Sequence, residues 1–509
     1  MVCQFILCYG WCHLSKRQKK ASFGGPMAEQ LTYELVVGLE VHAQLLTNSK
    51  LFAGDANSFG ADPNTHVSPI TLGHPGTLPR MNSKAIEHAV KLGLACRCEI
   101  APVNYFARKN YFYPDLPKGY QISQHTLPIC NGGYVNIRTK DGAKQIQLTR
   151  IHLEEDAGKS IHDLDEAFTC VDYNRAGVPL VELVTEPCIR NSEEAFAFLT
   201  EFRKLVRWIG VCDGNMEEGS MRCDANISIR KWGAAALGTK VEVKNLNSIR
   251  NVKKAIEVEY ARLVNLLESG GTVIQETRGF NADSDTTYSI RVKEDADDYR
   301  YFPDPDLTPF TVTDTDMERY RSMLPVLPEE WVQRLIQEYQ LPEYDARLLA
   351  EDQDLLTYFS SVVNISGHPK AVANWLIGPV KSYCNEFDLA WSEVLISPSQ
   401  WKVLIELVEE GKLNFSGAAQ KLLPALMKEP GTDVEAMAVS MNMIQVNDAS
   451  DIHAWVDAVI SNMPDKVLEF RKGKKGLIGL FVGEVKKLSK GKADPKITND
   501  ILLEKLNQS

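Results

Sequence analysis

The most restrictive feature of this chain is the run Arg222-Cys223-Asp224-Ala225-Asn226-Ile227-Ser228-Ile229-Arg230, in which polar and apolar side chains alternate without a break. A period of two places each set on one face of a β-strand, whereas a helix would scatter both around its surface. Cys223, Ala225, Ile227 and Ile229 therefore face a core. Arg222, Asp224, Asn226, Ser228 and Arg230 face away from it. Leu35, Val37, Leu39 and Val41 alternate in the same way against Glu40, His42 and Gln44, as do Val241 and Val243 against Lys240, Glu242 and Lys244. Such runs predict an antiparallel sheet with one face on a core and the other open.

Two helices are expected to interrupt the sheet. One follows Ser192 as N-cap, carries Phe196, Leu199, Phe202, Leu205 and Ile209 at helical spacing, and stops at Gly210. The other starts near Asn247 and Ser248, carries Val252, Ile256, Leu263 and Leu267, and stops at Gly270-Gly271. The mixture is α+β. After the Pro-rich stretch 302–309, and from about residue 325 onward, only helical patterns remain. Among them is a helix with Ser397 as N-cap and Pro398 at its first position. Past residue 440 the chain turns basic, with Lys466, Arg471, Lys472, Lys474, Lys475, Lys486, Lys487, Lys490 and Lys492.

The net charge of -11 separates the chain from dedicated nucleic-acid binders, so any RNA contact must use a local patch. The 11 cysteines form no C-x-x-C pair and read as reduced, mostly buried thiols of a cytosolic protein. Residues 2–12 are apolar and precede the charges of Lys16, Arg17, Lys19 and Lys20, the reverse of a signal peptide. Met27 is the expected start, and no segment reads as membrane-spanning.

Several motifs fail. Gly158-Lys159-Ser160 resembles the end of a P-loop, but Leu153 stands where that loop needs Gly. The polar sheet faces are more informative. Glu40 and His42 share one face; Glu154, Glu155 and Asp156 close the run that contains His152; Glu182 sits inside the apolar run 178–184. A carboxylate there is costly unless paired or metal-bound. Any one of these residues alone fits a solvated face with ion pairs. As a set, converging carboxylates and a His suit a Mg²⁺–nucleotide site. The segment 110–120 is dense in aromatics and Pro beside Lys118; it reads equally as a surface for stacking on a base and as a packed loop.

These same segments, in order, resemble the motifs of the tRNA-dependent amidotransferase B-subunit family. They are Gly38–Leu45, Arg108–Asp115 with Tyr120–Gln124, Leu153–Ser160, Val171–Glu182, Glu217–Ser228, Lys244–Ser248 and Asp298–Pro303. The resemblance implies a catalytic cradle over residues 30–322, a helical domain over 323–440 and a small helical YqeY-like tail over 441–509 that engages tRNA. Residues 1–29 form an extension expected to be disordered. It further implies ATP as substrate and a Mg²⁺ site on His42, Glu155 and Glu182, with Glu40 and Glu154 nearby. Glu155, Glu182, Arg222 and Lys244 are the expected catalytic residues. Tyr111, Arg175, Ser220, Asp224, Asn226, Glu242 and Asn245 are the expected contacts to substrate and nucleotide. The implied partners are an amidase A subunit, a small C subunit and tRNA, in a cytoplasmic heterotrimer with no membrane contact.

Two positions depart from the family pattern. Where many members carry a zinc-binding C-x-C and C-x-x-C, this chain has Ala53, Asp55, Ser68 and Thr71, so no zinc is expected. The usual Glu-Pro-Asp after the signature reads Glu186-Pro187-Cys188. The implied activity is glutamine-dependent conversion of Glu-tRNA(Gln), Asp-tRNA(Asn) or both to the amide. Its rivals are a stand-alone ligase for a small acid and a non-catalytic tRNA-docking scaffold.

Overall fold

The computed structural model describes residues 32–292, 299–444, 449–489 and 493–507. The N-terminal extension, Asp298, Lys490 and Lys492 lie outside the described residues. The strand Tyr33–Gln44 lies inside a 13-stranded sheet. It pairs antiparallel with Pro179–Thr185 on one side and Met221–Lys231 on the other. Gly142–Glu155 continues the sheet beyond the first, and Val241–Leu246 beyond the second.

The expected alternation holds on the core face. Val37, Leu39, Val41, Ala225, Ile227, Val241 and Val243 are fully buried. The sheet is not wholly antiparallel: Val241–Leu246 runs parallel to Glu276–Asn281. A parallel pair needs a crossover, and the helix Ile249–Glu268 supplies it.

The helix expected after Ser192 spans Ser192–Trp208, but Asn191 is its cap, accepting from the Glu194 N–H at 2.8 Å. The Ser192 hydroxyl instead donates to Glu257. Its buried stripe is Ala195, Phe198, Leu199, Phe202 and Val206, a clean 3.6-residue repeat that leaves Phe196 at the margin and exposed. The second helix is capped by Ser248 as expected, and Gly270 follows it at φ +82°. Further along, Ser397 and Gln400 form a reciprocal capping box at the start of Pro398–Glu409.

A buried charge network fastens the crossover helix to the sheet edge. Glu259, fully buried, accepts two bonds from Arg262 Nε, both at 3.0 Å, and one from Thr287 at 2.8 Å. Arg278 ties Glu276 at 2.8 Å and the Thr287 carbonyl at 2.9 Å. After Phe310–Thr311 every named element among the described residues is helical. One hydrophobic core runs without a break from Leu35 to Ala438. Across residue 322 the Trp208 indole donates to Val326 O at 2.9 Å, and on the surface Arg138 meets Glu343 at 2.9 Å. A second, separate core of small size lies between Ile452 and Leu506. No described helix is long and apolar enough to cross a membrane.

Candidate active site

Strand register assembles the site. His152 lies opposite Glu182, Glu182 opposite His42, and His42 opposite Arg222, a row across four strands. Side chains directly opposite one another share a face. All four therefore project from the open side, and so does Glu154, two residues after His152. His42 Nε2 lies 3.2 Å from Glu182 and 3.5 Å from Glu154. His152 Nε2 lies 3.7 Å from each of the same two carboxylates. His42, Glu154 and Glu182 bring one ligand atom each to within 4.8 Å of one another.

The electrostatics follow from burial against pairing. Burial alone would lower the His42 pKa, but the carboxylates of Glu182 and Glu154 outweigh it and raise it to about 9. Burial pushes Glu182 the other way, yet His152 and His42 hold its carboxyl well below the usual range. The two carboxylates suit a hard divalent cation, and His42 can join them as a ligand only by releasing its proton when the cation binds.

A second acidic group stands beside the first. Glu40, Asp224 and Glu242 also bring their oxygens within 4.8 Å of one another. Lys244 Nζ enters this group, 2.6 Å from Asp224 and 3.2 Å from Glu242, and those partners raise its pKa against burial. Asn226 donates to Glu40 at 2.8 Å. Burial, then the like charges of Glu182, Asp224 and Glu242, raise the Glu40 pKa. Asn245 departs from strand geometry at φ +65°, and the facing strand carries a register shift between Cys223 and Ala225. Such local distortion re-aims side chains at sites.

His42, Glu154, Glu182, Arg222 and Lys244 line a cavity of about 380 Å³, together with Tyr111, Asp224, Asn245 and Asp156. Asp156 accepts from Arg222 at 2.8 Å and from Gln44 at 3.2 Å. Its burial favours the neutral acid, but Arg222 and Arg175 hold its pKa below the ordinary value. A larger cavity, about 780 Å³, lies elsewhere, between Arg203 and Arg207 and the acidic groups Glu329 and Asp352. It holds no metal-capable cluster among the described residues, whereas the smaller cavity is lined by one.

Three expected site residues stand apart. Glu155, expected as a metal ligand, follows Glu154 on a strand and so points to the opposite face. There Lys118 pairs with it at 2.5 Å and the Ile122 N–H donates to it at 2.9 Å. The set His42, Glu155 and Glu182 is therefore not brought together; Glu154 takes the place given to Glu155. Arg175 binds the Ala157 and Gly158 carbonyls at 3.0 and 2.6 Å and reaches Asp156 only at 3.7 Å. Ser220 donates to Asp213 at 3.1 Å, away from the cluster. His152 belongs to the site without having been expected there, although its spacing to Glu154 repeats that of Glu40 and His42. It is buried, and its Nδ1 has no hydrogen-bond partner among the described residues. At the four positions of the family's cysteines, the Asp55 carboxylate accepts from Ser68 at 2.9 Å and from the Thr71 hydroxyl.

Comparison with known proteins places these elements in context. Residues 35–318 match the family described as the GatB/GatE catalytic domain, and residues 357–506 match the GatB domain. A protein of Thermodesulfovibrio yellowstonii, named as the B subunit of aspartyl/glutamyl-tRNA(Asn/Gln) amidotransferase, is 47% identical over 478 residues, 94% of this chain and all of its own length. A protein of the same name from Chlorobium limicola is 47% identical over 477 residues, with the same coverage of both chains. One from Syntrophotalea carbinolica is 46% identical, covering 93% of this chain and 98% of its own.

Proposed function

The chain belongs to the family of amidotransferase B subunits built on the GatB/GatE catalytic domain, and on that premise we propose that it activates misacylated tRNA for amide formation. The substrate is Glu-tRNA(Gln), Asp-tRNA(Asn) or both, and the reaction is an ATP-dependent C–N ligation with glutamine as nitrogen source. An amidase A subunit supplies ammonia, and a small C subunit completes a cytoplasmic heterotrimer. The observation that carries the reading is the convergence of His42, Glu154 and Glu182 within the segment matched to the catalytic domain.

The chemistry accounts for the residue types. A side-chain carboxylate resists attack by ammonia at neutral pH. Transfer of the γ-phosphoryl group to its oxygen releases ADP and creates an acyl phosphate, from which ammonia displaces inorganic phosphate. The open face must therefore bring a polyanion up to a group of carboxylates. Held by His42, Glu154 and Glu182, Mg²⁺ would offset charge on the phosphate oxygens. Arg222 and Lys244 offer further positive charge, and each is fixed in place before substrate arrives: Arg222 by Asp156, Lys244 by Asp224 and Glu242. Preorganised charge of this kind is what stabilises a phosphoryl transfer without reorganisation cost. Tyr111 and Asn245 add a phenol and an amide to the wall for orienting the aminoacyl end.

The test is conversion of Glu-tRNA to Gln-tRNA by this chain with its A and C subunits and glutamine, with ATP supplied or withheld. ATP-dependent conversion is expected. Bound tRNA with no ATP turnover would overturn the reading in favour of a docking scaffold.

A further inference from the structure

A second cavity, about 410 Å³, adjoins the candidate active site, and Lys109 and Tyr111 line both. Its character is different. Where the first is walled by carboxylates, the second is walled by aromatic rings: Tyr111, Phe112, Tyr113 and Tyr299. Phe112 is 92% exposed and Tyr113 64%. A large ring left this open loses the free energy that burial would return, so its position calls for a reason.

The surroundings hold these rings ready. The Asn110 side chain donates to the Tyr299 and Arg300 carbonyls at 3.3 and 2.9 Å, and its backbone N–H donates to Tyr299 O at 3.0 Å. These bonds lock the segment bearing Tyr111 and Phe112 against the segment bearing Tyr299 and Tyr301. Tyr111 meets Tyr299 edge-on at 6.1 Å, and Tyr299 meets Tyr301 likewise at 6.1 Å. Lys109 sits over the Tyr299 ring at 4.8 Å. Phe112 leans its edge on Gly119, where an added Cβ would come within 3.2 Å of the ring and where φ is +72°. The positive φ favours glycine there, and the absent Cβ lets the ring lie close.

We infer that Phe112 and Tyr113 form an open stacking seat for the 3′-terminal nucleoside of the aminoacylated RNA, positioning its amino acid over the carboxylate cavity. The inference rests on the function proposed above and names the residues that seat its substrate. Aromatic faces stack on bases irrespective of sequence, and a cation beside them meets the phosphodiester backbone. Lys109 supplies that cation at the join between the cavities. The seat's openness decides between nucleotides. A mononucleotide such as ATP gains from enclosure, whereas a terminal base on a polymer must leave a path for the nucleotides before it. Phe112 stands at that open edge.

The test uses the chain assembled with its A and C subunits and a tRNA whose terminal base is 2-aminopurine. Stacking should quench the fluorophore on binding. Phe112→Ala with Tyr113→Ala should abolish the quench and raise KM for misacylated tRNA by roughly fivefold or more. kcat and KM for ATP should not change, because neither ring reaches the carboxylate cavity. Phe112→Trp should restore both signals and Phe112→Leu should not, which separates stacking from mere packing of the loop. An unchanged quench and KM for tRNA in the double variant, or a rise confined to KM for ATP, would overturn the seat. Quenching without amide formation would keep the seat and defeat the proposed reaction; amide formation with a quench unaltered by the double substitution would do the reverse.

Discussion

On the open face of the sheet, buried Glu154 pairs with His42 and His152, and buried Asp156 pairs with Arg222. In the C-terminal unit, Lys474 and Lys487 also have carboxylate partners, at 3.1 and 2.5 Å, yet their side chains remain 70% and 75% exposed. The first region spends core-like burial on charge. It perturbs His42 and Glu182 strongly and also raises Glu40, because low dielectric amplifies each interaction. The second keeps its charge in water, where an ion pair is worth little. Density of charge is thus a poor guide to chemistry; what separates the two regions is how much solvent the charge has lost.

Variants can break this contrast. His42→Ala or Glu182→Gln should cut amide formation roughly a hundredfold or more while leaving tRNA affinity intact; full activity in both would remove the cluster from the chemistry. Next is Arg278→Ala, which deprives the buried Glu276 and the Glu259 network of a cation. It should cost about 3 kcal/mol in urea unfolding, and a loss under about 1 kcal/mol would show that the network is wetter than its burial implies. Deleting residues 445–509 spares Met443 and Ile444, which pack on the larger core. It should weaken tRNA binding and lower the salt slope by about 0.9 for each phosphate that the tail neutralises; an unchanged slope would deny the tail its role.

Arg222→Ala gives a pH signature. Pairing holds the Asp156 pKa below its ordinary value of 3.8, so the stability it contributes is present above that value and lost as pH falls through the lower, folded one. The stability gap between native chain and variant should therefore close as pH drops below 3.8. A gap that persists would mean Arg222 acts through packing. Smallest of all, Lys487→Ala should leave the melting temperature unmoved; a clear drop would erase the distinction between the two regions.

The strand faces are legible in the sequence because a period of two leaves little choice about which side is buried. Glu40, His42, Arg222, Asp224 and Glu242 fall on the open side on that ground alone. The choice between Glu154 and Glu155 is not legible. The stretch Ile151–Asp156 is buried on both faces, so the alternation that identifies a side vanishes where it is needed. His152 is hidden for the same reason. Ser192 and Asn191 are both competent caps, and only the backbone turn decides between them. The crossover that makes one strand pair parallel leaves no local mark, since it depends on where a helix returns the chain.

The row His152–Glu182–His42–Arg222 also acts as a gauge of correct assembly. Sliding Tyr33–Gln44 or Met221–Lys231 by a single residue would turn that strand's ionic groups into the hydrocarbon layer and its apolar side chains out to the open face. A sheet misaligned in this way keeps neither its packing nor the ionic row: a strand set in the wrong alignment would thus lose both in one step.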